Sequence, residues 1–126
     1  MAKLEERPVD AGLAGLKGRD DAAAVEWWTE RFALLAGIPS DVARAGAIVP
    51  QFRELSHLPE AERRRLTRAR VQAFVALPAD QRQRVLAGRK LATAIDPTLV
   101  ASDDAVVAQV AGEVPGADAI QREMRS

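Results

Sequence analysis

The sequence predicts an all-α fold: an irregular bundle of four to five helices, preceded by a flexible or loosely docked N-terminal segment. Three observations predict it. Apolar residues recur at spacings of three and four, capping residues or prolines open each such stretch, and glycine or proline closes it. Residues 1–19 are assigned to the flexible segment and residues 20–126 to a single helical domain, a size within the usual range of about 50 to about 250 residues. Hydrophobic residues make up 48% of the chain but aromatics only 4%, and tyrosine is absent, so the core must be thin and helix-built.

The first 19 residues mix charges with Pro8, Gly12, Gly15 and Gly18, and their large apolar side chains are Leu4, Val9, Leu13 and Leu16. Such a stretch cannot offset its own ordering entropy, and Leu13 and Leu16 are its candidates for docking on the body or on a partner. Asp20 and Asp21 then cap a helix running to about Ala36, in which Val25, Trp28, Phe32 and Leu35 share one face. Gly37 is expected to close it in the left-handed conformation, with Pro39 blocking continuation. Ser40 caps a second, short helix from Asp41 to about Ile48, weakened by Gly46 and broken by Pro50; Gln51–Ser56 is expected to add a turn bearing Phe52 and Leu55.

The next segment contains a 19-residue repeat. Leu58-Pro59 through Ala73 aligns with Leu77-Pro78 through Ala92, with six identical positions that include Arg63/Arg82, Arg65/Arg84 and Arg70/Arg89. Proline at the first helical position sacrifices only an N–H that would lack a partner anyway, and acidic residues in the following turn suit the helix dipole. Each copy therefore reads as one helix, with a sharp corner at Leu77 and Pro78 because the residue before proline is driven out of the α region. Two copies fall short of a solenoid. The second repeat helix ends near Ile95, before Asp96-Pro97. Ser102 with Asp103 and Asp104 is expected to start another helix carrying Val106, Val107, Val110, Ala111 and Val114, and Ala117–Arg125 adds a turn or two with Ile120 and Met124 inward. The expected core comprises Trp28, Phe32, Leu35, Leu66, Phe74, Val85, Leu86, Ile95, Val106 and Val110.

Charge is balanced overall, 18 Lys+Arg against 18 Asp+Glu, which argues against nonspecific polyanion binding as the main role. It is unevenly spread. Residues 53–90 hold 10 basic and 4 acidic groups between flanks of 6 against 8 and 2 against 6. Arg64, Arg65 and Arg68 share a helix face and are the candidate partner-binding cations, with local pairs such as Glu60–Arg64 and Glu62–Arg65 as the competing, purely structural reading. Trp27 lies about 100° around the helix from Trp28 and is the candidate aromatic anchor, or else completes the edge of the core.

No catalytic constellation is visible. His57 is the only histidine and cysteine is absent, so no thiolate site and no clustered metal ligands are expected. Ser40 and Ser102 read as caps rather than nucleophiles, the glycines at 12, 15 and 18 lack a phosphate-loop context, and Asp103 and Asp104 read as first-turn acids. A catalytic reading would require a deep pocket with convergent polar groups such as His57, Arg70 or Arg89. No cofactor is expected. The Leu-Pro-x-x-x-Arg pattern at Leu58–Arg63 and Leu77–Arg82 resembles the repeated Leu-Thr/Pro-x-x-Gln motifs of small helical periplasmic chaperones of the Spy type, with Arg in place of their Gln, over less than a third of the chain. No residue role is carried over from it.

The functional expectation is a small noncatalytic interaction module that binds another protein or itself. The alternative is a regulatory nucleic-acid binder using the basic helices over 59–95. The corner between those helices lacks the glycine-containing turn of a helix-turn-helix, and Phe74 is the lone aromatic for stacking bases. The charged start, Met1 to Pro8, holds no apolar signal core and no apolar run is long enough to span a bilayer, so a cytoplasmic setting is expected; the Ala-, Arg-, Asp- and Val-rich composition suits a bacterial genome rich in G and C.

Overall fold

A computed structural model describes Leu13, Leu16 and residues 18–125, with side chains as far as Arg122. The described residues form an all-α bundle of six helices: α1 (Asp21–Ala36), α2 (Asp41–Ser56), α3 (Glu60–Val75), α4 (Ala79–Ile95), α5 (Pro97–Ala111) and α6 (Ala117–Arg125). None is long and apolar enough to cross a membrane. The expected flexible segment lies outside the described residues except at Leu13, Leu16, Gly18 and Arg19; Leu13 and Leu16 are buried in the main core.

Helix starts follow the sequence signals. Asp20 accepts from the Ala23 N–H at 2.9 Å and Ser40 from the Ala43 N–H at 3.2 Å. Pro59 and Pro78 stand one position earlier than expected, as N-caps, and their carbonyls accept the first helical N–H groups, from Arg63 and Arg82.

Three expectations are corrected. The second helix does not stop at Ile48 but continues through Pro50 to Ser56. Proline inside a helix costs about 3 kcal/mol, and burial of Ile48, Val49, Phe52 and Leu55 on both sides of it outweighs that cost. The next-to-last helix starts at Pro97 rather than Ser102, because Asp96 caps it by accepting from the Leu99 N–H at 3.2 Å. Ser102, Asp103 and Asp104 are thereby mid-helix. Gly37 has φ −78°, not a left-handed value; arginines from elsewhere cap the α1 carbonyls instead, with Arg44 Nε donating to Leu35 O at 2.8 Å and Arg84 Nη1 to Ala36 O at 3.3 Å.

α1 packs on α3 and α4, α2 on α4, and α5 on α2, α3 and α4, while α6 closes against α3. α2 and α4 run in the same direction: Arg44 Nη1 donates to Arg84 O at 3.1 Å at one end, and Arg53 pairs with Asp96 at 3.6 Å at the other. Between the helices lies the main core, in which Trp28, Phe32 and Phe74 form a chain of ring contacts with centroids 5.9 and 5.4 Å apart. A second cluster of Val71, Val107, Val110, Ala111, Val114 and Ala117 seals α5 and α6 onto α3. Of the expected core, Ile95 alone is exposed; it is the last residue of α4.

Candidate functional site

The basic middle of the chain divides into two groups of arginines with different surroundings. On the outer face of α3, Arg65 donates to both Glu62 oxygens, at 3.1 and 2.9 Å, and also to Arg19 O at 2.9 Å and Asp21 at 3.1 Å. Arg68 reaches Glu113 at 2.8 Å and Asp21 at 3.6 Å, and Arg64 reaches Glu113 at 3.5 Å. The expected Glu62–Arg65 pair is therefore present, whereas Arg64 turns to Glu113. Acidic residues from the two flanks of the sequence, Asp21 and Glu113, thus sit on the three candidate partner-binding cations. The hydrogen bonds that Arg65 donates to Glu62 are the largest influence on it and, with Asp21, raise its pKa against a smaller opposing effect of burial.

Trp27 is half-buried against the core and meets Trp28 edge to face, with centroids 4.8 Å apart. The Arg31 guanidinium lies over its ring at 4.6 Å from the centroid. Trp27 therefore packs at the edge of the core with a cation over its ring.

The second group is internal. Arg70, on the core face of α3, donates to Asp103 Oδ1 at 2.6 Å, and Arg89 of α4 donates to Asp103 Oδ2 at 2.9 Å and also to Asp104. The side chains of Arg70 and Asp103 are only 8% and 6% exposed. Burial lowers the Arg89 pKa, but attraction to Asp103 and Asp104 outweighs it and the net direction is up. Both guanidiniums lie over the Phe52 ring, at 5.0 and 5.5 Å, and Arg70 also faces Trp28 at 5.7 Å.

These two arginines border an apolar cavity of about 60 Å³ whose walls come mainly from Trp28, Phe32, Ile48, Phe52, Phe74 and Ile120. Trp28 is fully buried, and its indole Nε1–H has no acceptor within the protein. Of the groups named as a catalytic requirement, Arg70 and Arg89 line this cavity and His57 does not. His57 is exposed, with Nδ1 2.7 Å from Arg53 O. Among the described residues no group of three His, Cys, Asp or Glu side chains is placed to hold a metal.

A further buried cation, Arg44, escaped the sequence reading. It is 3% exposed, bonds Leu35 O, Ile38 O, Asp41 and Arg84 O, and ties the α1–α2 corner to α4. Its signal was its register: Arg44 precedes Ile48 and Phe52 at intervals of four, as Arg70 falls between Leu66 and Phe74 and Asp103 precedes Val107. A charge at a core-face position of a helix points to a buried partner. Comparison with family models, curated proteins and solved structures gives no match to this chain.

Proposed function

We propose that the chain is a small noncatalytic helical interaction module that associates with protein surfaces, a second copy of itself being its simplest partner. One observation carries the reading. The large apolar side chains left exposed among the described residues are Leu34, Val42, Leu91 and Ile95, and all four belong to α1, α2 and α4, which pack on one another. None is on α3, α5 or α6. Zero net charge favours the second copy, because two such surfaces meet without long-range repulsion.

The alternative, nucleic-acid binding through the basic helices, draws less support, since Arg64, Arg65 and Arg68 are engaged by Asp21, Glu62 and Glu113 and must exchange those carboxylates for phosphates. Within the proposal these arginines act chiefly inside the molecule and Trp27 lies at the edge of the contact. A cytoplasmic, bacterial setting belongs to the same proposal and rests on the sequence reading alone.

Light scattering after size-exclusion chromatography tests it. The parent chain is expected to self-associate, and Leu34→Lys with Leu91→Lys to return it to the monomer with helicity unchanged. A parent chain that stays monomeric at every concentration, or association indifferent to these changes, overturns it.

A further inference from the structure

The 19-residue repeat makes α3 and α4 a comparison within one molecule. At equivalent register positions both bury the same face: Leu66, Ala69 and Ala73 of α3 correspond to Val85, Gly88 and Ala92 of α4, all of them buried. The outer faces agree in exposure but not in chemistry. Arg68 and Ala87 are equivalent and both half-buried, and Gln72 and Leu91 are equivalent and both exposed. The packing of the bundle does not require this difference, because α3 meets water with polar side chains at the same positions. On α4, Ala87, Leu91 and Ala94 follow at intervals of four and three and so lie on one face, with Ile95 beside them; Leu91 is 38% and Ile95 54% exposed. α4 is thus apolar on two sides, of which the bundle covers one.

We propose that the other side is covered by α4 of a second copy, antiparallel to the first, about a twofold axis at Leu91. The inference rests on the self-association proposed above and names the helix and the geometry through which it occurs. The stripe is complementary to itself in shape. Ala87 and Ala94 stand seven residues apart along one edge of it, with Leu91 between them. Antiparallel pairing sets Ala87 of one copy opposite Ala94 of the other, and these small side chains let the two axes approach to the near end of the usual range of about 8–10 Å. Leu91 then meets its own counterpart, as a residue on a twofold axis must. Charge sets the direction. Arg84, seven residues before Leu91, continues the same face and is exposed. Parallel pairing would bring the two Arg84 cations side by side, whereas the antiparallel arrangement separates them by roughly 20 Å along the helices, well beyond the about 8 Å over which charges act at physiological ionic strength.

Cysteine is absent from the chain, so introduced cysteines report contacts between copies directly. Under mild oxidation of the full chain, at a concentration where the parent associates, Leu91→Cys should form a disulfide-linked dimer. Gln72→Cys, its register equivalent on α3, should not. Ala87→Cys and Ala94→Cys should each stay single, because each lies about 9 to about 12 Å along the helix from its own counterpart, beyond the about 7 Å that a disulfide spans; the chain carrying both should link. Leu91→Gln, which installs the side chain that α3 carries at this position, should weaken the dimer at least ~10-fold in sedimentation equilibrium with circular dichroism unchanged. Linkage through Ala87→Cys or Ala94→Cys alone, the signature of parallel pairing, overturns the proposal. A dimer in which Leu91→Cys or the double variant fails to link, or which Leu91→Gln leaves intact, overturns the pairing of α4 while self-association stands. A parent chain that is monomeric at every concentration overturns both.

Discussion

Gly88 of α4 is the point at which Arg44 of α2 crosses it: a Cβ at position 88 would lie 2.9 Å from the Arg44 Cγ and 3.1 Å from its Cβ and Cδ. Arg44 cannot move aside, because its guanidinium is bonded to Leu35 O, Ile38 O, Asp41 and Arg84 O. Glycine inside a helix ordinarily costs about 1 kcal/mol relative to alanine, whereas overpacking a fixed neighbour costs about 1–3 kcal/mol. Gly88→Ala is therefore expected to destabilise the protein despite improving helix propensity. Gly46, also inside a helix, has open space where its Cβ would stand. Gly46→Ala should stabilise by about 0.5–1 kcal/mol. Urea unfolding of the two variants checks the opposite signs.

Asp103 holds the buried guanidinium of Arg70 and the partly buried one of Arg89, so its removal strands Arg70 and leaves Arg89 with Asp104 alone. Asp103→Asn is expected to cost about 3–5 kcal/mol, the usual consequence of leaving a buried charge without its partner. Replacing the whole cluster, Arg70→Met with Asp103→Leu and Arg89→Met, should cost far less, since the desolvation of all three groups disappears together. Thermal unfolding followed by circular dichroism distinguishes these cases; equal losses for the single and triple variants would show that the three groups do not act as a unit.

The outer ion pairs should behave differently. Arg68 and Glu113 are 35% and 43% exposed, so water and salt screen their attraction. A double-mutant cycle on Arg68→Ala and Glu113→Ala is expected to give a coupling of about 0.2–1 kcal/mol that fades as salt is added. A coupling several times larger and insensitive to salt would place this pair with the internal cluster instead.

Stability should be flat from about pH 8 to about pH 10. Arg65 and Arg89 have pKa values raised by their carboxylates above the already high value of an unfolded arginine, so their contribution is complete throughout this range and is lost only at far more alkaline pH. Tyrosine and cysteine, two of the group types that begin to titrate in that window, are absent. A urea midpoint that declines steadily over this range would contradict the paired geometry of these arginines.

Most helix starts, the corner at Leu77 and nine of the ten expected core residues were legible in the sequence because they rest on local chemistry: a cap, a proline, a spacing of three or four. Local reasoning failed where tertiary packing overruled it. Pro50 is a breaker by propensity, yet the buried side chains around it carry α2 through. Asp103 and Asp104 resemble first-turn acids until Pro97 is treated as a helix start like Pro59 and Pro78, which moves them to mid-helix and turns Asp103 inward. The arginines of the repeat were visible as a basic stretch, but their division into an outer lattice and an inner cluster depends on which acids of the distant flanks reach them. Charge segmentation along the chain signals that pairing only once the ends are folded over the middle.

Sedimentation equilibrium of the full chain at low and at high salt separates apolar association from contact through the arginine face. At about 1 M salt the Debye length falls to roughly 3 Å, so a complex held by Leu34, Val42, Leu91 and Ile95 should persist or tighten. A chain that is monomeric under both conditions, or a complex that salt disperses, would contradict the proposed mode of association, and the second result would transfer the contact to Arg64, Arg65 and Arg68.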